Sequence, residues 1–183
     1  QVKELKKGFH LFQIFLEDAK SHFSESVRTL RTIIQSKIKK NKTVLVTSSF
    51  PSEGKTTISF NLALSLSKLG KVMFIETDIR RPSVLTALEM EQDSEKKVGF
   101  SDIISGEVNL KESIFRLPGT DLTVITSGKK RTDFTDITNE QKLKQFFKLL
   151  THYYDYVILD TPPIQPVSDT LLLAKCVDHV YLI

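Results

Sequence analysis

The sequence has few of the residues that mark several specialised protein classes. Its 183 residues include one cysteine, 7 glycines and 6 prolines, so a disulfide framework, a collagen-like repeat and a low-complexity chain are excluded. The single thiol, Cys176, fits a reducing compartment and is expected to be a buried structural side chain. No apolar run reaches the roughly 18 to 20 residues that a membrane-spanning helix needs. The remaining possibility is an ordinary globular domain.

The overall composition supports this and limits the kind of partner. Hydrophobic residues make up 40% and charged residues 26% of the chain, and 26 basic against 22 acidic side chains leave a net charge of +4. This mild excess tolerates a phosphate-bearing ligand but is no signature of nucleic-acid binding, and we expect no nucleic-acid partner. The length suits one domain over 1–183. The final run VDHVYLI predicts a buried strand, so we expect the C-terminal part of the domain to lie beyond residue 183.

Helical and extended patterns alternate along the chain. Phe23, Val27, Leu30 and Ile34 recur at helical spacing and predict an amphipathic helix over 20–38. Short β-branched runs predict buried strands at 43–49, 71–77, 122–127 and 156–160. The segments between them predict helices at 55–69, 82–88, 139–151 and 168–176, with two short ones inside 99–107 and 109–115. This alternation predicts an α/β fold, with a mostly parallel sheet and helices on both faces.

The connections carry further expectations. Gly70 stands where a glycine commonly caps the end of a helix. The segment 89–97 is expected to be an exposed charged loop, and 128–136 a polar, mobile one. The basic groups at 39–42 and 129–131 are expected to be solvated. The scattered histidines show no metal-ligand spacing; they are His10, His22, His152 and His179.

The strongest local motif is SFPSEGKTT at 49–57. Gly54, Lys55 and Thr56 match the end of the pattern G-x-x-x-x-G-K-[ST], while Ser49 replaces its first glycine. A predicted strand precedes this loop and a predicted helix follows it, so backbone amides would point at phosphate oxygens. We therefore predict a P-loop for ATP and Mg²⁺, in which Thr56 binds the metal. Its nucleotide-binding residues are Ser49, Pro51, Ser52, Glu53, Gly54, Lys55, Thr56 and Thr57.

Acidic residues close two other predicted strands. Glu76 and Asp78 alternate along one strand and should point to the same side of its carboxyl end. Asp160 ends the apolar run YVILD, as the acid of a Walker B motif does. Ligands bind at the carboxyl ends of strands in open parallel sheets, and two carboxylates beside a triphosphate call for a divalent cation. We predict that Asp78 and Asp160 help to hold Mg²⁺. Arg80 and Arg81 are candidates for a phosphate or carboxylate contact.

These motifs together resemble the bacterial tyrosine kinases (BY-kinases) of capsule and exopolysaccharide synthesis. The resemblance runs from about residue 23 to residue 183. The P-loop corresponds to S-x-P-G-E-G-K-[ST], the segment 76–80 to D-x-D-x-R, and 157–160 to the third acidic motif. Glu25, Arg28 and Arg31 fit the family pattern Glu-x-x-Arg-x-x-Arg, which in the family meets a neighbouring subunit and helps to build a ring.

The resemblance implies an ATP-dependent autokinase at the inner, cytoplasmic face of the membrane, which regulates polysaccharide synthesis or export. Lys55, Glu76, Asp78 and Asp160 are the implied catalytic residues, and the residue at position 76 is the family's proposed base for the attacking hydroxyl. The implied acceptor is a C-terminal tyrosine cluster on a neighbouring subunit, which we expect beyond residue 183. The membrane segment is either fused to the domain or supplied by a separate activator.

Two positions depart from the family pattern. Glu76 stands where an aspartate is usual, and its arm is one methylene longer; a misplacement of about 1 Å can cost roughly 10²-fold in rate. Ser52 replaces a loop glycine, which restricts the backbone if its φ angle is positive. Two alternatives therefore stay open: a nucleotide-switched ATPase of the Min or Par type, and an ATP-binding interaction module that is catalytically weak. Phe50 argues against the first, because the signature lysine of those ATPases is missing there.

Overall fold

A mostly parallel sheet forms the centre of the computed structural model, which describes residues 3–4, 14–38, 42–88, 98–165 and 168–183. Within these ranges seven strands are joined in the order β1-β4-β5-β3-β6-β2-β7. All neighbours run parallel except β4 and β5, which are antiparallel. The strands are β1 (Lys3–Glu4), β2 (Lys42–Thr47), β3 (Val72–Glu76), β4 (Ile114–Arg116), β5 (Leu122–Ile125), β6 (Tyr156–Asp160) and β7 (His179–Leu182).

Helices connect these strands, and two of the longer ones begin at side-chain caps. The Ser21 hydroxyl accepts a hydrogen bond from the Ser24 amide at 3.2 Å, and the Asn139 side chain accepts one from the Lys142 amide at 3.0 Å; both satisfy amides that lack a helical partner. The helices are α1 (Ile14–Glu17), α2 (His22–Lys37), α3 (Lys55–Leu66), α4 (Val84–Ala87), α5 (Phe100–Ser105), α6 (Phe134–Ile137), α7 (Glu140–Thr151) and α8 (Asp169–Ala174), with a 3₁₀ turn at Leu110–Glu112.

The core has two layers, one on each face of the sheet. Alternate strand residues point to opposite faces, so Phe74 packs with α2 and α3, while Met73 and Ile75 pack with α5 to α8. The central strands β2, β3 and β6 are buried on both faces almost throughout. The predicted α/β fold with helices on both faces is confirmed, as are the amphipathic helix α2 and the buried thiol of Cys176.

Several local predictions are wrong. The second predicted short helix is a single 3₁₀ turn followed by β4, a three-residue strand too short to show a clear alternation. Gly70 does not cap α3, which ends at Leu66 with Ser67 as its C-cap. A Cβ at position 70 would instead clash with Oδ2 of Asp155, which accepts the Lys71 amide at 2.9 Å, so a side chain here would displace that carboxylate.

Two further expectations are corrected at the ends of the sheet. The segment 128–136 is not wholly polar and exposed, because Phe134 is fully buried and begins α6. β7 forms as predicted but as an edge strand, with Val180 and Leu182 about half exposed. The charged segment 89–97 lies outside the described residues. Among those described, no helix has the length and apolar character that crossing a membrane requires.

Candidate active site

A cavity of about 610 Å³ opens at the carboxyl ends of the central strands. Its size is within the usual range for small-molecule sites. Three segments form its wall, namely the loop after β2 with the start of α3, the loop after β3, and the loop after β6. The lining residues are Pro51, Ser52, Gly54, Lys55, Thr56, Thr57, Asp78, Arg80, Arg81, Ser83, Pro162 and Pro163. The P-loop and one acidic motif found in the sequence therefore share one cavity.

The P-loop has the backbone shape that phosphate binding needs. Ser52 and Gly54 both lie in the left-handed region, with φ of 66° and 84°, which turns the chain sharply into α3. The Glu53 carboxylate accepts a hydrogen bond from the Phe50 amide at 2.8 Å and so braces the loop. Lys55 is the first residue of α3 and is 9% exposed. A helix N-terminus and a cation thus face the same cavity, and both favour an anion. Ser52 therefore has the positive φ angle at which a residue with a Cβ is restricted.

Asp160 lies behind the P-loop rather than in the cavity wall. Its carboxylate accepts a hydrogen bond from the Ser59 hydroxyl at 3.0 Å and another from the side chain of Thr56. Burial raises the pKa of Asp160 to about 7, with the neighbouring Glu76 adding to the shift and Lys55 opposing it. Asp160 can therefore orient the side chain of Thr56, or help to hold a metal ion that Thr56 binds. Ser59 was missed by the sequence reasoning, because a serine on a helix carries no signal of its own.

Asp78 is the acidic residue that lines the cavity. Its Oδ1 accepts hydrogen bonds from the amides of Arg80 at 3.2 Å and Arg81 at 2.9 Å, and these close a tight turn. The Arg80 guanidinium makes a bidentate pair with Asp169, at 2.7 Å and 3.0 Å. Asp169 is 1% exposed, and this pair raises the pKa of Arg80. Asp169 was also missed, since an acid in the first turn of a predicted helix is an ordinary helix-start residue.

Glu76 is not brought to the cavity. It is fully buried, and its carboxylate accepts amide hydrogen bonds from Ser83 at 2.6 Å, Val84 at 2.8 Å and Ser127 at 3.0 Å. Burial raises the pKa of Glu76, and the amides that stabilise its charge act against the shift. Of the two acidic residues that the sequence places at the end of β3, Asp78 lines the cavity and Glu76 does not.

The charged stripe on α2 is largely tied to its own chain. Glu25 is exposed and pairs with Arg28, whose guanidinium lies 5.3 Å from the ring centre of Phe15. The Arg31 guanidinium donates a hydrogen bond to the Ser65 carbonyl of α3 at 3.2 Å. The stripe thus contributes to the packing of α1, α2 and α3, and Glu25 is its most accessible member.

The donor set suits a nucleotide triphosphate with a divalent cation. The cavity offers Lys55, the amides at the start of α3, and oxygen ligands from Thr56 and Asp78, with Asp160 hydrogen-bonded to Thr56. Hydroxyl and carboxylate oxygens are the ligands that Mg²⁺ prefers. The site has the parts that phosphoryl transfer uses: a cation and dipoles for the phosphates, and oxygen ligands for the metal.

Known proteins with similar sequences include several that are named tyrosine-protein kinases. The profile described as AAA domain matches residues 41–176. The chain is 32% identical over 173 residues to tyrosine-protein kinase YwqD of Bacillus subtilis (strain 168), covering 93% of this chain and 71% of the relative. It is 31% identical over 170 residues to tyrosine-protein kinase CpsD of Streptococcus pneumoniae serotype 4, covering 92% of this chain and 72% of the relative.

Solved structures extend the similarity to the fold. The kinase domain of Escherichia coli tyrosine kinase ETK superposes with a TM-score of 0.86 and 25% identity, over 97% of this chain and 69% of that one. The chimerical protein CapA2B2 gives a TM-score of 0.84 and 26% identity, over 98% and 77%. A plasmid partition protein of Borrelia burgdorferi bound to AMPPNP gives 0.63 and 27%, over 79% and 62%. The fold is therefore that of P-loop NTPases.

The buried charge of Asp160 predicts that Asp160→Asn stabilises the free protein. Because the pKa is about 7 in the folded state against a usual value of 3.8, the folded protein holds a proton that the unfolded chain has released. The contribution of Asp160 to wild-type stability should therefore fall as the pH rises from about 4 to about 7. Near pH 8 the variant should gain at most about 4 kcal/mol, and clearly less at pH 5. Urea unfolding at both pH values measures the difference.

Asp121→Asn is the matched control, since Asp121 is an exposed partner of Arg116. The control should change stability little at either pH. A loss of stability in Asp160→Asn at pH 8 would contradict the assigned cost of burying this charge.

Because Ser52 has a left-handed backbone conformation, we expect Ser52→Gly to leave the free energy of unfolding unchanged or to raise it by up to about 1 kcal/mol. A residue with a Cβ pays about 1 to 2 kcal/mol in this region, part of which the greater freedom of glycine in the unfolded chain offsets. Ser52→Ala removes the same hydroxyl but keeps the Cβ, so it should show no gain. Urea midpoints measured side by side test this, and equal midpoints for the two variants would show that the backbone is not strained.

Proposed function

The chain belongs to the AAA-domain family and, within it, to the bacterial tyrosine-protein kinases, and we propose that it is an ATP-dependent autokinase that regulates capsule or exopolysaccharide synthesis. One observation carries the catalytic part of this proposal: Lys55, Thr56 and Asp78 line a single cavity, and Asp160 is hydrogen-bonded to Thr56 directly behind it. Three strand ends thus supply the groups that a metal-bound triphosphate needs.

In the proposed mechanism different residues of this cavity bind the phosphates, bind the metal and orient its ligand. Lys55 and the first amides of α3 hold the phosphates of ATP, while Thr56 and Asp78 bind Mg²⁺ and Asp160 orients Thr56. Bound Mg²⁺ would neutralise charge on the phosphate oxygens. The reaction needs chiefly positioning and electrostatic stabilisation, and a cavity with a fixed cation and helix dipole offers both before the substrate arrives.

The proton of the attacking tyrosine hydroxyl needs an acceptor in the cavity. Asp78 lines the cavity, while Glu76 is buried away from it with its carboxylate bound to amides. A base must come within hydrogen-bond reach of the proton it removes. Asp78 is therefore the acceptor in this proposal, and Glu76 does not take part in the transfer.

The acceptor and the cellular setting follow from the family resemblance. We place the acceptor on a tyrosine-bearing C-terminal segment of a neighbouring subunit, and the kinase at the inner face of the bacterial membrane, next to a membrane segment that is fused or belongs to an activator. The tyrosines of this chain are poor acceptors in comparison: Tyr156 is buried in β6, and Tyr153, although 66% exposed, lies at the entrance to that strand.

Lys55→Met tests the catalytic proposal. The substitution removes the cation that neutralises the phosphates, so phosphorylation of a glutamate–tyrosine copolymer should fall by about 10²-fold or more. Anti-phosphotyrosine detection with Mg²⁺ and ATP measures this. Lys68→Met is the matched control, because Lys68 is an exposed lysine just after α3, and it should leave the rate unchanged.

The other outcomes distinguish the competing functions. Phosphotyrosine at the wild-type level in Lys55→Met would show that the proposed site is wrong. ATP hydrolysis by the wild type without tyrosine transfer would identify a nucleotide switch of the Min or Par type. Nucleotide binding in calorimetry with neither reaction would identify an interaction module.

We also propose that α2 contributes to a ring of subunits through Glu25, Arg28 and Arg31. Glu25 is 65% exposed in its side chain, whereas Arg28 and Arg31 already contact their own chain. The accessible carboxylate is therefore the member of the stripe best placed to meet a neighbour, and the two arginines fix the helix that presents it.

Glu25→Arg tests the ring. The charge reversal should lower the oligomer mass in light scattering with Mg²⁺ and nucleotide present, and replacing all three residues with alanine should do the same. Glu140→Arg, at the start of α7, is the control and should keep the wild-type mass, because Glu140 is likewise paired with a cation of its own helix and its side chain is 45% exposed. An unchanged mass in Glu25→Arg and in the triple variant would remove α2 from the interface.

A further inference from the structure

The carboxylate of Glu76 lies where two loops meet. Its Oε1 accepts the amides of Ser83 and Val84, at the end of the loop after β3. Its Oε2 accepts the amide of Ser127, in the loop after β5. One side chain therefore joins two backbone segments that are about 45 residues apart in sequence, and it does so with no exposure to solvent.

The same two loops touch at a second point. The Arg131 amide donates a hydrogen bond to the Ile79 carbonyl at 3.0 Å. Asp78 directly precedes the Ile79 contact, and the amides that it accepts, those of Arg80 and Arg81, lie between the two points. The segment 77–84 is thus held against 127–131 next to Asp78 and, through Glu76, at its far end.

The capacity of Glu76 for other partners is small. An ionised carboxylate has about four lone-pair positions, and amide hydrogens occupy three of them here. A tyrosine hydroxyl would have to displace one of these amides and enter a fully buried position. Leaving a buried amide without an acceptor costs about 1 to 3 kcal/mol. The geometry opposes proton transfer to Glu76.

The length of the side chain matters for the same reason. An aspartate at this position would be one methylene shorter, so its carboxylate could not reach the amides of both loops without movement of the backbone. A glutamine keeps the length and one acceptor oxygen, which can still serve the pair of amides at Ser83 and Val84, although its NH2 group cannot accept the Ser127 amide. Glutamine therefore keeps the contact to one loop, whereas aspartate strains the contacts to both.

We propose that Glu76 is a positioning residue that fastens the Asp78-bearing loop to the loop at 127–131, and that its role depends on the length of its side chain more than on a transferable proton. The kinetic part of this inference rests on the proposed kinase function, but the structural part does not. The loop at 127–131 thereby becomes part of the support of the nucleotide site.

The experiment compares Glu76→Gln with Glu76→Asp, using Glu112→Gln as a control on the exposed 3₁₀ turn. Three readouts are measured for each: kcat and KM for ATP with a glutamate–tyrosine copolymer, the dissociation constant of Mg·AMPPNP by calorimetry, and amide hydrogen exchange over 77–84 and 126–131. The exchange and binding measurements need no catalysis, so they remain informative for a variant, or a wild type, that is inactive.

If Glu76 is a positioning residue, Glu76→Gln should keep kcat within about fivefold of the wild-type value and mainly raise KM for ATP, because the reacting groups are intact. Glu76→Asp should be the worse variant, with faster exchange in both loops together and AMPPNP binding weakened by about tenfold or more. The control should match the wild type in all three readouts.

If Glu76 is instead a catalytic base, Glu76→Gln should be less active than Glu76→Asp. Removing it should lower kcat by about 10² to 10⁴-fold in Glu76→Gln with unchanged exchange, and Glu76→Asp should stay active; that result would overturn the proposal. Unchanged exchange in both variants would overturn it as well. If the wild type binds AMPPNP but phosphorylates nothing, the kinase function fails by itself, and coupled exchange in Glu76→Asp still decides the role of the side chain.

Discussion

Two carboxylates lie side by side in the centre of this molecule, and the loops around the cavity compensate for their charges. Glu76 and Asp160 are register partners on the adjacent strands β3 and β6, and both are almost fully buried. Burying two like charges next to each other is unfavourable unless each finds hydrogen bonds or an opposite charge. Glu76 receives three backbone amides, and Asp160 receives hydroxyl groups from α3. The arrangement of the site follows from this requirement.

The two solutions have different consequences. Glu76 accepts three backbone amides, which leaves its carboxylate little capacity for other partners. Asp160 has weaker partners and a pKa raised to about 7, which leaves it able to respond to a cation bound by Thr56. The cost of burying Asp160 would be offset by a cation bound at Thr56, as the proposed function requires, and such a compromise between stability and activity is common at functional sites.

The fold and the P-loop were predictable because they depend on short, local patterns. The apolar runs of β2, β3 and β6 are buried on both faces and lack alternation, which makes them easy to recognise. The glycine and lysine at 54 and 55 stand between a strand and a helix, where their chemistry has a defined role. By contrast, β4 has three residues and takes its structure from pairing with β5, so its own sequence favours a strand no more than a turn.

The partners of the acidic motifs could not be predicted, because they are distant in sequence and ordinary in type. Asp169 and Ser59 acquire their roles only through contacts with Arg80 and Asp160. The surroundings of Glu76 were hidden for a related reason. The strand ends at Glu76, and the amides that its carboxylate accepts come from Ser83, Val84 and Ser127, which are distant in sequence.

These contacts make the candidate nucleotide site a junction of several loops rather than a property of the P-loop alone. Asp169 fixes Arg80, whose amide closes the turn around Asp78, and Glu76 fixes the far end of the same loop to the segment after β5. A movement of any one of these loops must therefore displace Asp78, since a close-packed interior transmits shifts and does not absorb them. At the tip of β3 the side chain of Glu76 is long enough to accept amides from both loops, which is why the proposed role of this residue is to hold the backbone that carries Asp78.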